Sequence, residues 1–239
     1  MSDKEGTERA VNTAVVGAGY WGRNYVRNLA ALEEAELSWV CDADAEARAR
    51  ARRTSAGARV SDDLSAVLED PAVEALVVAT NVIHHHAHTV AALRAGKHVL
   101  VEKPMAMSVE QAQEMVELAE ERELTLMVGH LLLYHPAVER LREIVQAGEL
   151  GRVFYMHAQR VNLGRIRSDE NALWSFAPHD QSVIGFLQER IYDTSGAQKP
   201  VSSSGEEPAD GEKPADGDKP ADGDKPADGD KPADGGAGQ

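Results

Sequence analysis

The apolar positions of the first 130 residues switch between two patterns, short continuous runs of aliphatic residues and longer stretches in which apolar residues return every three or four positions. The runs predict strands at Thr13 to Val16, Leu37 to Cys41, Ala58 to Val60, Ala75 to Ala79, Lys97 to Val101 and Leu124 to Val128. The stretches between them predict helices. Asn24 to Leu32 places Tyr25, Leu29 and Leu32 at helical spacing, Ala45 to Ser55 is rich in Ala and Arg, and a short helix fits Asp63 to Leu68. His85 to Ala95 is closed by Gly96, a residue suited to the left-handed position after a helix end. Ser108 and Gln111 have the spacing of a capping box and open a helix running to Arg122. Alternating strands and helices imply a parallel sheet covered on both faces, because parallel neighbours need crossovers. The expected fold class is α/β, a doubly wound parallel-sheet domain over residues 13–130, preceded by a flexible stretch at 1–12.

Beyond that domain the periodic signal thins. Residues 131–200 offer a connecting helix, one strand at Val153 to Val161, a loop, and a helix around Val183 to Leu187, which together make a partial α+β second domain. From Lys213 the hexad Lys-Pro-Ala-Asp-Gly-Asp recurs, after a weaker copy at Glu207. Each repeat carries Pro and Gly and no large apolar side chain, so residues 201–239 cannot bury enough surface to offset their ordering entropy and are expected to be disordered. A solvated spacer and a partner-binding tail both fit this composition.

Charge sharpens the boundary. Of the net charge of -15, residues 201–239 contribute 11 acids against 4 lysines and residues 1–200 contribute 29 acids against 21 bases. That balance argues against nucleic acid as a partner, since phosphate binding needs clustered Lys and Arg. No run of 18 apolar residues and no apolar leader is present, so neither a membrane span nor export is expected. A lone Cys41 cannot form an internal disulfide, which fits a cytoplasmic location.

The first chemistry lies between the first strand and the first helix, in Gly17-x-Gly19-x-x-Gly22. The first glycine permits the tight turn, the second lets the backbone approach a pyrophosphate, and the third lets helix and strand pack closely. The helix N-terminus then offers N–H groups to the phosphates. Asp42 ends the second strand, 20 residues after Gly22, where a carboxylate would accept hydrogen bonds from a ribose 2'-hydroxyl. A Rossmann-type dinucleotide site is expected, with Gly17, Gly19, Tyr20, Trp21, Gly22 and Asp42 in it. The carboxylate favours NAD over NADP, although Arg48 beside it leaves NADP open.

The second motif is Ala95-Gly96-Lys97-His98-Val99-Leu100-Val101-Glu102-Lys103-Pro104, preceded by Ala79-Thr80 and a His-rich helix start. With the glycine fingerprint it closely resembles the glucose-fructose oxidoreductase, inositol 2-dehydrogenase and rhizopine catabolism (Gfo/Idh/MocA) family, from about Thr13 to Leu187. The resemblance implies a nicotinamide-dependent oxidation or reduction of a hydroxyl carbon on a sugar or cyclitol. It implies Lys103 as the catalytic lysine on the reacting hydroxyl, Glu102 next to the nicotinamide, and Thr80 and His85 in the cofactor pocket, with Asn81 where the family usually has Pro. A surface salt bridge before a Pro-forced turn is the alternative reading of Lys103. His84 and His88 share a helix face, but nothing nearby completes a tetrahedral ligand set, and no metal is expected.

Past Val128 the likeness narrows. Gly129-His130, Tyr134-His135-Pro136, Gly148-Glu149-Leu150-Gly151-Arg152, Asn162 to Arg167 and Leu173 to Asp180 resemble sugar-nucleotide 3-dehydrogenases that act on UDP-N-acetylglucosaminuronate or its relatives. This implies His179 as the catalytic histidine that takes the hydroxyl proton, with Ser175 at a position where many members carry an acid. Arg165 and Arg167 are candidates for holding a substrate carboxylate or diphosphate, solvent exposure being the alternative. The family's second domain is an open, largely antiparallel sheet, which should need about 100 to 150 residues. Most of its strands have no counterpart before the hexads begin, so Val153 to Val161 would have few partners and a tendency to pair with another chain, a route to a homo-oligomer. Three readings follow: a sugar or sugar-nucleotide oxidoreductase, a catalytically impaired dinucleotide-binding remnant, and an interaction protein working through its acidic tail.

Overall fold

Valine and leucine dominate the strands because a strand buried on both faces gains nothing from polar alternation. In the computed structural model, which describes residues 9–161 and 172–188, six strands form one sheet: β1 (Val11–Val16), β2 (Ala35–Cys41), β3 (Arg59–Ser61), β4 (Ala75–Val78), β5 (His98–Val101) and β6 (Leu126–Val128). The order is β3-β2-β1-β4-β5-β6, with every pair parallel. The order reverses between β1 and β4, which opens a crevice at the carboxyl ends of those two strands.

The crossovers are α1 (Gly22–Leu29), α2 (Ala45–Thr54), α3 (Leu64–Leu68), α4 (His85–Arg94) and α5 (Val109–Glu121). One face of the sheet packs Val15, Leu37, Val40 and Val77 against Val26 of α1 and Ala47 and Ala51 of α2. The other packs Ala14, Val16, Leu76, Val78, Val99 and Val101 against Val67 of α3, Val90 and Leu93 of α4 and Met115 of α5. Ser108 caps α5 by accepting from the Gln111 N–H at 3.3 Å, but the returning bond of the box is displaced by one residue, Gln111 Oε1 accepting from the Met107 N–H at 3.1 Å.

The doubly wound sheet is as the periodicity predicts, with shifts of a few residues at the ends. The stretch expected to be a flexible leader already enters the fold, since β1 begins at Val11, whose N–H donates to the Glu34 carbonyl at 2.9 Å. Past β6, a turn at Leu131–Tyr134 leads into α6 (Pro136–Gln146), where Pro136 occupies the first turn and His135 caps Ala137. Two expectations are corrected here. The strand at Val153 to Val161 does not form: residues 151–161 belong to no ladder, and Phe154, Tyr155 and Val161 are 79, 84 and 82% exposed. A β-type run becomes a strand only when a neighbour takes up its backbone groups. The helix expected around Val183 to Leu187 is instead α7 (Ala172–Gln188), seventeen residues long with Pro178 inside it. An interior proline removes one helical hydrogen bond, and the helix continues through it here. Residues 201–239, with the expected tail, lie outside the described residues.

Candidate active site

All six strands run the same way, so the residues that follow them gather on one edge of the sheet however far apart they are in sequence. Gly17 follows β1, Asp42 follows β2, Ala79 and Thr80 follow β4, Glu102 and Lys103 follow β5, and Gly129 and His130 follow β6.

The glycine loop is shaped by what it lacks. Gly17 has a φ of 92°, and a Cβ there would stand 2.7 Å from the backbone of Ala79 and Thr80. A Cβ on Gly22 would stand 1.8 Å from the Gly17 carbonyl oxygen, so α1 can start this close to the turn only from a bare backbone. Gly19 meets nothing within 4 Å, which leaves open the approach a pyrophosphate would use. Helix α1 begins with no side-chain cap and no acid in its first turn, so no side chain of its own occupies its positive end. Tyr20 is 73% exposed beside it, with the Arg23 guanidinium 5.0 Å from its ring centroid.

Asp42 does two jobs at once. Its Oδ2 accepts from the Ala18 N–H at 2.6 Å and its Oδ1 from the Asp44 N–H at 2.8 Å, which ties the end of β2 to the glycine loop. Each oxygen has further lone-pair capacity for a hydroxyl donor. Arg48, the residue that left NADP open, donates to the carbonyls of Asp42 and Ala43 at 2.7 and 2.9 Å and stands 3.2 Å from the Asp62 carboxylate.

Glu102 is 5% exposed and its carboxylate faces the protein's own donors. Oε1 accepts from the Trp21 indole N–H at 2.7 Å and the Tyr25 hydroxyl at 2.5 Å, and Oε2 accepts from the Lys103 backbone N–H at 3.0 Å. Burial, then the hydrogen bond to Glu102 and its charge, push the Tyr25 phenol far above its ordinary value. His85, 1% exposed, stands between two carbonyl oxygens, with Nδ1 2.8 Å from Pro104 and Nε2 3.0 Å from Thr80. It joins two loops of the site. Thr80 Oγ1 is 3.3 Å from His88 Nδ1, and burial, followed by the charges of His84 and His85, lowers the His88 pKa. His84 stacks on His88, while His86 pairs with Glu114 at 2.8 Å. Among the described residues no three His, Cys, Asp or Glu side chains form a group able to hold a metal.

Helix α7 supplies the remaining groups. It packs on α6 and on the turn at Leu131–Tyr134, and the Arg142 guanidinium of α6 lies 4.3 Å from the Phe186 ring centroid. The His179 pKa is held below the ordinary histidine value, first by burial and then by the positive charges of Lys103, Arg160 and His130, with Asp180 opposing them. Asp180 is gripped by Arg160, whose Nη2 donates at 2.8 Å and whose Nε donates at 3.2 Å. Burial also lowers the His130 pKa, against the pull of Glu102. Nδ1 of His130 and of His179 is buried and has no hydrogen-bond partner among the described residues.

The structure thus gathers Gly17, Gly19, Tyr20, Trp21, Gly22, Asp42, Thr80, His85, Glu102 and Lys103 at the carboxyl edge, and brings His179 within electrostatic range of Lys103. Arg165 and Arg167 lie outside the described residues. Four further groups escaped the sequence reading: Tyr25, His130, Arg160 and Asp180. His130 had a usable signal, since it stands two residues past β6 as Lys103 stands two past β5. Tyr25 had none, because its place in helical spacing reads as core.

The chain is similar to known proteins in sequence and in fold. A family described as oxidoreductases with an NAD-binding Rossmann fold matches residues 11–130. Inositol 2-dehydrogenase 2 of Saccharopolyspora erythraea is 30% identical over 203 residues, 83% of this chain and 60% of its own length. UDP-N-acetylglucosamine 3-dehydrogenase of Acidithiobacillus ferrooxidans is 33% identical over 178 residues, 74% of this chain and 54% of its own. Among solved structures, a protein of gentamicin A biosynthesis in complex with NAD aligns with a TM-score of 0.67 at 27% identity, over 77% of this chain and 55% of that one. A 3-ketoreductase from Actinomadura kijaniata, in complex with NADP and TDP-benzene, aligns at 0.55 and 27%, over 59% and 43%. The chain therefore spans between 40 and 60% of the length of such curated relatives.

Proposed function

The chain belongs to the Gfo/Idh/MocA family of oxidoreductases, whose Rossmann fold binds NAD, and from that premise we propose that it interconverts a hydroxyl and a keto group on a sugar nucleotide at the expense of NAD. The fit of the cofactor rests on the open space at Gly19, the uncapped start of α1 and the spare acceptor capacity of Asp42. The glycine loop and α1 would hold the diphosphate, Asp42 the adenosine ribose, and the loop at Thr80 the neighbourhood of the reacting ring. Bound there, NAD supplies the hydride acceptor or donor.

The chain's own residues handle the proton. Lys103 donates a hydrogen bond to the reacting oxygen, and its ammonium stabilises negative charge developing there. His179 takes the proton of the substrate hydroxyl and returns it in the reverse direction. One observation carries this reading: helix α7 sets the half-buried His179 within electrostatic range of Lys103, and burial first and then the Lys103 charge favour the neutral imidazole that can accept a proton. NAD is favoured over NADP because the Asp42 carboxylate repels a 2'-phosphate while Arg48 is engaged by two carbonyls and Asp62. The likeness to a UDP-N-acetylglucosamine 3-dehydrogenase supports a nucleotide sugar as substrate.

A second reading is supported by the span of the chain, about half that of its relatives, and by the absence of a ladder at residues 151–161. On that reading the chain binds the dinucleotide without turnover. Titration with NADH, followed by NAD with UDP-N-acetylglucosamine or its uronate while nicotinamide absorbance is recorded, separates the two. Turnover that disappears in Lys103→Ala, with NADH affinity within about threefold of wild type, is the expected result. Binding without turnover across a panel of sugar nucleotides supports the second reading, and failure to bind NADH defeats both.

A further inference from the structure

The proposed function uses Lys103 but gives no role to the buried cage around Glu102. Three donors converge on that one carboxylate from separate parts of the chain: Trp21 from the glycine loop, Tyr25 from α1, and the backbone N–H of Lys103 from the turn after β5. The site is shaped to admit them. A Cβ on Gly129 would stand 2.9 Å from Glu102 Oε1 and 3.1 Å from the Tyr25 hydroxyl, so the chain leaving β6 closes the cage only because a glycine follows the strand. On the far side of the turn, His85 reaches the Pro104 carbonyl at 2.8 Å and the Thr80 carbonyl at 3.0 Å.

From these contacts we infer that Tyr25 and Trp21 are positioning residues for Lys103, acting through Glu102, and that a dinucleotide seated on the glycine loop is thereby sensed at the Lys103 turn. The inference rests on the cofactor site proposed above. Trp21 lies inside the loop that would bind the diphosphate, and its indole N–H ends on the carboxylate that also holds Lys103. Anything that orders the loop orders the Lys103 backbone through two hydrogen bonds. A buried carboxylate transmits such ordering well, because losing any one donor leaves a charged acceptor undersatisfied in a site with little water.

Amide hydrogen exchange on the full chain, read by mass spectrometry on peptides spanning residues 17–22 and 101–106, tests this without requiring turnover. Without cofactor, the 101–106 peptide of Tyr25→Phe exchanges about threefold faster than wild type or more, and the β2 peptide 35–41 is unchanged. With NADH, wild type gains protection in both site peptides, whereas Tyr25→Phe gains it only at 17–22. Gly129→Ala, which crowds the cage without removing a polar group, gives the same pattern and guards against a folding defect peculiar to either variant. In the nicotinamide assay Tyr25→Phe lowers kcat about tenfold with KM within twofold, a split that general loosening of the fold does not produce. Exchange at 101–106 equal to wild type in both variants overturns the inference. So does equal NADH protection of that peptide in wild type and variants. A wild type that binds no NADH, yet shows faster exchange at 101–106 in the variants, defeats the cofactor reading and the sensing step while retaining the positioning role.

Discussion

An imidazole can accept a proton only while neutral, so what surrounds His179 decides the pH range over which it can work. Burial and the charges of Lys103, Arg160 and His130 all favour its neutral form, and Asp180 alone opposes them. The acid limb of kcat/KM is therefore expected below the ordinary histidine value of 6.5. Arg160→Gln removes one of the lowering charges and releases the Asp180 carboxylate, and both changes move the limb upward. A pH profile of the two proteins checks this, and an unmoved or lowered limb in the variant excludes His179 as the titrating base. The same shifts bear on stability with a definite sign. The pKa values of His88, His130 and His179 are all lowered in the fold, so the unfolded chain takes up protons first as pH falls. Stability from these groups is complete above the unfolded value near 6.5 and declines as pH drops through the folded values. How much of this was legible beforehand differs by residue. Gly17, Gly22 and Asp42 answer to a local turn and could be read directly. The roles of Tyr25 and of the Arg160 and Asp180 pair exist only once distant segments meet.

Elements carry the site because parallel strands end together, and the alternation of apolar runs was enough to find every strand of the sheet. The same rule failed at Val153 to Val161, where a β-type run has no pairing neighbour among the described residues, and at α7, where Pro178 stands inside a helix that nevertheless continues. Pattern records a segment's preference, while pairing and packing decide whether it is used. What fixes the elements against one another is often a single buried polar side chain, and His85 is the clearest case. Its ring joins the loop after β4 to the turn after β5 through two carbonyl oxygens. A neutral ring donates to one of them, so His85→Leu would leave that carbonyl without its donor and remove the packing of a fully buried ring, at a cost of about 1–3 kcal/mol. Denaturant unfolding should show the midpoint falling with the slope unchanged. A loss below about 0.5 kcal/mol would mean that the two loops are held by other contacts.

At the scale of the whole molecule the charge distribution sets a testable limit on what residues 201–239 contribute. That segment and the remaining 200 residues carry net charges of the same sign, -7 and -8 by the counts above. NADH is itself an anion, and a negatively charged segment tethered to the same chain disfavours it wherever the field is unscreened. Deleting residues 201–239 should therefore strengthen NADH binding at about 10 mM salt, where the Debye length is about 30 Å. The difference should vanish near 0.15 M, where the length is about 8 Å. Fluorescence titrations of both proteins at the two salt concentrations decide the matter. A deletion that weakens NADH binding at both concentrations would show that the repeats support the fold or the site, because screened repulsion between like charges can only act in the opposite direction.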